Sequence, residues 1–414
     1  MKILLLCTKY SLTENDPWLT NELADALQFS GHTVTVVYLD WNKIANTPGD
    51  ELTTSTGVRV LAIPPIVTNT RLPLLNNLLK WTLSSARAYR ALRKVLREEE
   101  FDLLICFSPA VTMALPILLM TNRAKTRSFL IQWDFFPFHH RQIGLMSSPI
   151  IFHLARLAEE KLLRRFDAIG CMSQKNIEYL RSHYDIKPEQ NLCVLPIWAK
   201  ETKLDDIDVN TTRKKYELPT GNPIVVFGGQ LAPGRGVEDL LQMAALAEHA
   251  DSSLIFLVIG SGPQETLVNS YIQKDHHNLR WIPWIPRSNY LDLIRACNLA
   301  LVCTVRDVDV PTFPSKTLDY LRAGLPIVAS VEESTDYGQY LVSNCIGVSV
   351  TAGAPDQLLE TTQALLRDEA RLRLMKENGP EIFKEHFEVE HVVRQLISNA
   401  MPPEKTEPPN GKPI

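Results

Sequence analysis

The sequence has little that would mark a secreted or membrane-spanning protein. Its 414 residues include seven cysteines, with no CxxC pair and no spacing typical of a metal site, so we expect reduced thiols, no disulfide and no metal. The longest mostly apolar stretch, residues 109–120, is shorter than the roughly 20 residues that a transmembrane helix needs. The opening MKILLLCTKY has no small-residue cleavage site and predicts a buried first strand rather than a signal peptide. These absences favour a cytoplasmic protein.

Two common nucleotide-binding patterns are also missing, since the chain has no GxxxxGK[ST] and no GxGxxG near its start. The net charge is −4, with 43 Lys and Arg against 47 Asp and Glu, and no nucleic-acid-binding module is recognisable. Nucleic acid is therefore not an expected partner. The charge is uneven, because residues 1–200 carry 23 basic against 18 acidic side chains and residues 201–414 carry 20 against 29.

Basic residues concentrate along one predicted helix in the first half of the chain. The helix also carries apolar side chains, as a membrane-surface element does. An ordinary solvated helix face would show the same composition, so both interpretations stay open. The basic residues are Lys80, Arg87, Arg90, Arg93, Lys94 and Arg97, and the apolar ones are Leu78, Leu79, Trp81 and Leu83.

Apolar strand-like runs alternate with helical ones, and the pattern restarts after a polar segment near residue 200. This rhythm predicts an α/β protein with two Rossmann-like parallel-sheet lobes that face each other across a cleft. We expect a first lobe over 1–199, a linker over 200–222, a second lobe over 223–380, helices over 381–401 that pack back toward the first lobe, and a disordered tail over 402–414.

Residues 310–330, VPTFPSKTLDYLRAGLPIVAS, carry the densest chemical pattern. Lys316 lies three residues before Asp319, so a helix over TLDYLRA places both side chains on one face near its first turn, where free amides favour anions. The apolar run IVAS follows as a buried parallel strand. The segment therefore lies at the carboxyl edge of a sheet, where open α/β folds bind ligands.

A second glycine-rich segment, GGQLAPGRG over residues 228–236, follows a strand and precedes an amphipathic helix. Such glycines let a phosphate approach backbone amides, and Arg235 would be the cationic clamp. A further turn at Gly262 follows the next strand and is compatible with either a ligand contact or a plain tight turn. Trp281 and Trp284 flank another strand end, where they would stack on a base or belong to the core.

In the first lobe, polar residues follow the predicted strand SFLIQW. Asp134 comes directly after it, and His139 and His140 follow a few residues later. Asp134 is the stronger candidate for a group that faces the cleft. The two histidines fit a catalytic role or a surface or capping role equally well.

Taken together, the chain resembles the GT-B glycosyltransferases, and within them the large retaining family 4. The resemblance rests on GGQLAPGRGVEDLL, VIGSGP, WIPWIPRSNYLDLIRACNLALV and FPSKTLDYLRAGLPIVAS, which follow the family's order and spacing. FDLLICFSPA, IQWDFFP, DAIGCMSQKNIEYL and VLPIWA in the first lobe are similar to the same enzymes. The Pro-Ser-Lys element is most similar to bacterial capsule and O-antigen enzymes of the L-fucosamine transferase type.

The resemblance implies residue roles. Arg235 matches the residue that grips the donor diphosphate, Lys316 becomes a second phosphate contact, and Asp319 matches the carboxylate that binds the donor ribose. Asp134 and His139 would join Arg235 and Lys316 as catalytic residues. The full set implied to bind the donor is Gly229, Gln230, Arg235, Gly262, Ile285, Ser315, Lys316 and Asp319.

Three positions depart from the family pattern. Gln230 stands where an upstream arginine is usual, and Pro311 stands where the first glutamate of the EX7E pair is usual. The opening loop, residues 8–18, lacks the double glycine of many relatives. Asp307 and Asp309 lie close to the missing glutamate. These departures concern the sugar and acceptor sides of the site.

The implied activity is transfer of a sugar, of the hexosyl or N-acetylhexosaminyl type, from a nucleoside diphosphate sugar with retention. A UDP-sugar is the favoured donor, the acceptor is a glycan or a lipid-linked glycan of surface polysaccharide synthesis, and no cofactor or metal is needed. A peripheral position on the inner face of the membrane would suit such an acceptor. Two alternatives remain, a sugar-nucleotide epimerase of the same architecture and a non-catalytic sugar-nucleotide-binding partner subunit.

Overall fold

The first lobe is a twisted eight-stranded sheet with helices on both faces. The structure, a computed structural model, describes residues 1–13, 17–68, 73–274 and 276–402. Residues 14–16 of the predicted opening loop and 403–414 of the predicted tail lie outside the described residues. The strands are β1 (Lys2–Cys7), β2 (Thr33–Leu39), β3 (Asp50–Thr53), β4 (Arg59–Ile63), β5 (Leu103–Phe107), β6 (Arg127–Gln132), β7 (Ala168–Cys171) and β8 (Asn191–Val194).

The strand order is β3-β4-β2-β1-β5-β6-β7-β8, and every pair is parallel except β3 with β4. Alternate residues of β1 enter different cores, with Leu4 and Leu6 on one face and Ile3 and Leu5 on the other. A strand buried on both faces has to be apolar throughout, which explains the run ILLLC. The helices are α1 (Leu19–Phe29), α2 (Pro73–Val95), α3 (Ala114–Thr121), α4 (Phe138–Gln142), α5 (Pro149–Leu163) and α6 (Gln174–His183).

The second lobe repeats this architecture with a six-stranded sheet in the order β11-β10-β9-β12-β13-β14, parallel throughout. Its strands are β9 (Ile224–Gly228), β10 (Ile255–Ile259), β11 (Leu279–Ile282), β12 (Leu299–Cys303), β13 (Ile327–Val331) and β14 (Gly347–Thr351). Its helices are α7 (Val209–Lys215), α8 (Val237–His249), α9 (Glu265–Gln273), α10 (Arg287–Arg295), α11 (Thr317–Arg322), α12 (Tyr337–Ser343), α13 (Pro355–Arg367) and α14 (Glu369–Ile382).

The chain crosses between the lobes twice, side by side. Ala199 pairs with Glu388 in a parallel bridge, in which the Ala199 amide donates to the Phe387 carbonyl at 3.0 Å. The last helix, α15 (Val389–Ala400), then packs on the first lobe, where Val392 and Leu396 join its core. The two-lobed α/β prediction is confirmed, and these paired crossings, called the hinge below for their position, connect the two lobes.

Among the described helices, none has an apolar stretch long enough to cross a bilayer.

Candidate functional site

The turn that follows β9 is built from glycines in conformations that other residues avoid. Gly229, Gly234 and Gly236 have φ angles of 115°, 85° and 60°. Gly236 is the N-cap of α8, and a side chain there would meet the Cβ of Cys303 at 2.5 Å. Arg235 is exposed at the tip of this turn. The turn therefore presents an exposed cation above a backbone that comes close to its neighbours.

The turn after β10 lies directly against the first one. Hydrogen bonds join the Gly229 amide to the Ile259 carbonyl and the Leu231 amide to the Ser261 carbonyl, both at 2.9 Å. A Cβ on Gly260 would lie 1.9 Å from the carbonyl oxygen of Gly229. This close approach of two backbones requires glycine, so the two strand-end turns form one surface.

Lys316 lies beneath this surface. Its ammonium nitrogen is buried, has no hydrogen-bond partner among the described residues, and lies 3.7 Å from the centre of the Phe227 ring. Its Cε lies 3.6 Å from the place that a side chain on Gly229 would occupy. The pKa of Lys316 is lowered to about 7, mainly by burial. Cys303 opposes this shift, and the positive charge of Arg235 adds to it. A buried ammonium without a partner is costly, so the arrangement favours an anion beside Gly229.

Asp319 lies on α11, about one turn after Lys316, and unlike Lys316 it has hydrogen-bond partners within the protein. Arg287 donates to both of its carboxylate oxygens at 2.7 Å, and Arg322 donates to Oδ1 as well. Asp319 and Arg322 are both buried, whereas the Arg287 side chain is about half exposed. Arg287 is thus the partner that a ligand hydroxyl could displace, while Arg322 stays in place.

Arg322 also connects Asp319 to the hinge. Its other terminal nitrogen donates to the Lys200 carbonyl at 2.8 Å and to the Thr202 hydroxyl at 3.1 Å. The Lys200 amide in turn donates to the Glu22 carboxylate of α1 at 2.9 Å. Burial raises the pKa of Glu22, an effect that Lys200, Arg322 and Arg287 oppose. A chain of polar contacts therefore runs from the second-lobe site through the hinge into the first lobe.

The first lobe contributes Asp134 from the turn after β6 and His139 and His140 from the short helix α4. Asp134 is exposed, and its amide donates to the Ser108 hydroxyl at 2.8 Å. Burial lowers the pKa of His139, which Asp134 raises and the nearby Arg235 lowers. A Cβ on Gly234 would lie 3.5 Å from the Ile143 side chain, directly after α4, so the glycine turn lies close to the helix that carries His139. His140 stacks edge-on against Phe136, and its buried Nδ1 has no hydrogen-bond partner among the described residues.

The remaining predicted residues surround this centre. Gln230 and Ser315 are exposed next to Gly229 and Lys316, and Ile285 packs at the edge of the second-lobe core. The Gly262 amide donates a hydrogen bond to Oε1 of Glu265 at 2.7 Å. The indole N–H of Trp281 donates a hydrogen bond to the Gly260 carbonyl at 2.9 Å, so Trp281 helps to hold the turn after β10. Trp284 is 76% exposed.

The sequence pattern missed a set of contacts that dock the loop before α11 onto the first lobe. Gln142 Oε1 accepts hydrogen bonds from the amides of Asp309 and Val310 at 3.1 and 3.3 Å. Asn176, which is fully buried, donates to the Pro311 carbonyl at 2.7 Å. The side chains of Val308 and Val310 are buried in the first-lobe core. The stretch around Pro311, where the family resemblance implies a glutamate, is here an anchor between the lobes.

A buried glutamate fixes the same loop from the other side. Glu332, at the end of β13, accepts hydrogen bonds from the amide and hydroxyl of Thr312 at 2.9 and 2.7 Å, and from the Thr304 hydroxyl. It is 2% exposed. A carboxylate with three protein donors is satisfied within the fold, so Glu332 positions the loop rather than presenting a free acid to the cleft.

A separate cavity of about 460 Å³ lies between the lobes near the hinge, lined by residues that include Ser173, Phe313, Tyr340 and His386. None of the sequence-predicted site residues lines it. The residues that the patterns selected instead meet at the facing strand ends, where Gly229, Arg235 and Lys316 form a basic surface opposite His139. This arrangement suits a ligand with a phosphate group.

Two family descriptions together match most of the chain. Residues 18–198 match the "Glycosyl transferase 4-like domain", and residues 208–382 match "Glycosyl transferases group 1". The boundary between the two matches falls at the hinge.

Among curated proteins, the chain is 24% identical over 216 residues to a protein of Escherichia coli (strain K12) named for colanic acid biosynthesis, the glycosyl transferase WcaI. The aligned part is 51% of this chain and 51% of that protein. The chain thus spans about half the length of the curated relatives that it matches.

Solved structures are similar over nearly the whole chain. The sucrose-phosphate synthase of Thermosynechococcus elongatus superposes with a TM-score of 0.74 at 17% identity, covering 95% of this chain and 97% of that one. Anabaena HepE in complex with UDP superposes with a TM-score of 0.65 at 15% identity, covering 96% and 99%. At this level of identity the likeness concerns the fold.

Proposed function

Because the chain belongs to the GT-B glycosyltransferases of the group 1, family 4 type, we propose that it transfers a sugar from a nucleoside diphosphate sugar to a glycan or lipid-linked acceptor. UDP-sugars are the favoured donors, of the hexosyl or N-acetylhexosaminyl type. Surface polysaccharide synthesis is the proposed setting, in line with the name of the E. coli relative.

One observation carries this proposal, the buried and unpartnered ammonium of Lys316 beneath the Gly229 turn. A donor diphosphate placed on the turn would pair with Lys316 and with the exposed Arg235. It would also return the lowered pKa of Lys316 toward its ordinary range. HepE, which shares the fold, was solved with UDP, and this supports the choice of base.

The difficult step of the proposed reaction is the departure of the nucleoside diphosphate. Negative charge grows on the leaving phosphate as the bond to the sugar breaks, and Lys316 and Arg235 are positioned to stabilise it. Removing one such preorganised donor typically raises the barrier by about 2.7–4 kcal/mol. Since these two cations supply positive charge at the diphosphate, we propose that turnover needs no metal and proceeds with retention, as the family resemblance implies.

The first lobe is the proposed acceptor side. We propose that Asp134 and His139 face the donor from there, and that His139, whose pKa burial lowers, accepts or relays a proton from an acceptor hydroxyl. A lipid-linked acceptor would bring the protein to a membrane surface, so we propose peripheral association through the first lobe, on the cytoplasmic side.

A second candidate is a partner subunit that binds a sugar nucleotide without turnover. The observation in its favour is the role of residue 311, a proline whose carbonyl accepts a hydrogen bond from Asn176, where the family resemblance implies a glutamate. Such a protein would bind donor through Lys316 and Arg235 and transfer nothing.

Calorimetric titration with UDP, GDP and ADP, without added metal, tests the donor site. Lys316→Met keeps the stem over Phe227 and removes the charge, and Arg235→Ala removes the clamp. Lys376→Met, an exposed cation of α14, is the matched control. We expect one nucleotide to bind the wild type and the control alike, and both site variants to bind it at least about tenfold more weakly. If no nucleotide binds, the proposal is wrong. Binding without hydrolysis or transfer of the corresponding sugar nucleotide would favour the partner subunit.

A further inference from the structure

The cavity of about 460 Å³ near the hinge, called the hinge cavity from here on, is built from both lobes. The first lobe contributes Ser173 and Pro196, which follow β7 and β8, and Gln395 of α15. The second lobe contributes Phe313, the helix α12 and Phe387, which directly precedes the crossing at Glu388. The volume lies in the range of ordinary small-molecule sites, so the cavity has room for a ligand that touches both lobes.

Three aromatic rings form one part of the wall. The rings of Phe313, Tyr340 and Phe387 contact one another pairwise, with centroids 5.6–5.8 Å apart. The Tyr340 hydroxyl is paired with Nδ1 of His386 at 2.7 Å, which fixes the orientation of that ring. Phe313 and Tyr340 are half-buried and line the cavity. Such rings offer an apolar surface on which the C–H face of a sugar ring can pack.

Most of the remaining wall is polar and uncharged. Asp336 brings one carboxylate, and neither lysine nor arginine is among the described residues that line the cavity. Amides and hydroxyls donate and accept hydrogen bonds, as the hydroxyl groups of a sugar do. A phosphate would instead meet a carboxylate with no cation beside it, so the wall disfavours an anionic ligand. The amides and hydroxyls are those of Ser173, Gln174, Gln339, Ser343, Asn344 and Gln395.

Two of the lining residues carry a buried oxygen atom that lacks a hydrogen-bond donor among the described residues. These atoms are Oδ1 of Asp336 and Oε1 of Gln395. The other polar atom of each side chain is in use, because Oδ2 of Asp336 accepts from the Lys175 amide at 3.2 Å and Nε2 of Gln395 lies 2.9 Å from Nε2 of His391. A buried acceptor without a donor costs free energy, so these side chains favour a ligand that brings hydroxyl groups.

The loop that borders the hinge cavity also leads to the donor site. Phe313 lines the cavity, and Lys316 follows it by three residues beneath the glycine turn. On the first-lobe side, the Ser173 hydroxyl donates to Oδ1 of Asn176 at 3.1 Å, and Asn176 donates to the Pro311 carbonyl at 2.7 Å. A ligand in the cavity would therefore contact both sides of the contact between the lobes and restrain the loop that positions Lys316.

We propose that the hinge cavity is a second ligand site, which binds one uncharged sugar ring and thereby favours the lobe arrangement in which Lys316 lies beneath the Gly229 turn. The sugar site does not depend on the donor site, whereas its coupling to UDP rests on the proposed function. Coupling between two sites is reciprocal and typically amounts to fivefold or more. Saturating sugar should therefore tighten UDP binding by about fivefold or more, and UDP should tighten sugar binding by the same factor.

NMR of the full chain with labelled methionine methyl groups locates the ligand. The chain has eight methionines, of which Met172 lines the hinge cavity, and Met172→Leu identifies its signal. The probes are glucose, galactose and N-acetylglucosamine, each compared with its 6-phosphate as the charged counterpart. Ser343→Trp fills the cavity from an exposed position of α12, and Val342→Trp, an exposed neighbour that does not line it, is the matched control. Gln339→Ala is a milder change that removes one amide of the wall.

We expect at least one neutral sugar to shift the Met172 signal alike in the wild type and in Val342→Trp. Ser343→Trp should need at least about tenfold more sugar, and Gln339→Ala about two- to tenfold more, the loss expected for one uncharged hydrogen bond. If no neutral sugar shifts the signal, or if Ser343→Trp responds like its control, the sugar site is wrong and the donor site is unaffected.

The remaining outcomes separate the parts of the proposal. Tighter binding of a 6-phosphate than of its neutral sugar would contradict the uncharged ligand class. An affinity for UDP that is the same with and without saturating sugar would contradict the coupling and leave the sugar site in place. Absence of UDP binding, with sugar still shifting Met172, would contradict the proposed function alone.

Discussion

Asn176 of the first lobe donates a hydrogen bond to the carbonyl of Pro311 in the second, at 2.7 Å. Both residues are buried, and Pro311 stands at the position where the family resemblance implies the first glutamate of the EX7E pair. The loop that carries Pro311 is also held by Gln142 and by the burial of Val308 and Val310. In this chain the loop therefore connects the two lobes.

Asn176→Asp should weaken that contact. The aspartate keeps an acceptor for Ser173 but cannot donate to Pro311, and a buried acceptor left unsatisfied costs about 1–3 kcal/mol. Urea unfolding should show a loss of this size. Asn210→Asp makes the same chemical change at an exposed position of α7 and should unfold like the wild type. Equal midpoints for the two variants would contradict the anchoring role.

Gly260→Ala should disrupt the surface formed by the two strand-end turns. Its φ angle is 145°, and the added methyl would lie 1.9 Å from the Gly229 carbonyl oxygen, so the turns have to separate. We expect a lower melting temperature and loss of nucleotide binding. Gly221→Ala is the control, because nothing lies within 4 Å of its Cβ position. A Gly260→Ala protein that binds nucleotide normally would show that these turns do not shape the site.

The role of Asp319 can be tested with a ligand rather than by mutation alone. If its carboxylate binds the donor ribose, displacing Arg287, then 2′-deoxy-UDP should bind about 10–100-fold more weakly than UDP, because hydrogen bonds to a charged group contribute about 1.5–3 kcal/mol. Asp319→Asn should reduce that ratio toward one. Equal affinities of the wild type for the two nucleotides would mean that Asp319 remains with Arg287 and Arg322 and serves only the fold.

His139→Ala should lower kcat while leaving nucleotide affinity within about twofold, since a positioned base contributes about 10²–10⁴ in rate. His140→Ala is the neighbouring control. Burial and the nearby cation Arg235 lower the pKa of His139, so the neutral form prevails at neutral pH. Its contribution to kcat should be constant above neutral pH and disappear as the pH falls through that lowered pKa. A kcat that is the same in both variants and the wild type would remove His139 from the reaction.

The sequence predicted the two lobes because parallel strands buried on both faces produce apolar runs that stand out locally. The strands β3, β4, β8 and β14 were not recognised. Three of them, β3, β8 and β14, are short edge strands, which are partly solvated, and Asp50–Thr53 is mostly polar. The strand-end residues Gly229, Arg235 and Lys316 were selected as candidates because glycine-rich turns and a basic residue before a helix are local patterns.

The contacts that organise the site were not predictable in the same way. Asn176 and Pro311 are 135 residues apart, and neither residue type indicates the other. Arg322 offered the one local signal, since it follows Asp319 by three residues on a short helix that is buried throughout, a position where a cation requires a partner. Arg287 offered none, because an exposed arginine at the start of a helix is common.

Proton uptake on UDP binding tests the central claim that the unpartnered Lys316 ammonium receives the donor diphosphate. Burial lowers the pKa of the free protein's Lys316 to about 7, so the group is mostly neutral at about pH 8.5 and must take up a proton to pair with the phosphate. Calorimetry in two buffers of different ionisation enthalpy should show uptake of about one proton, with affinity falling by up to about tenfold per pH unit above pH 7. Lys316→Met should bind UDP weakly and take up no proton through this group. Tight binding without proton uptake, unchanged in Lys316→Met, would contradict the account.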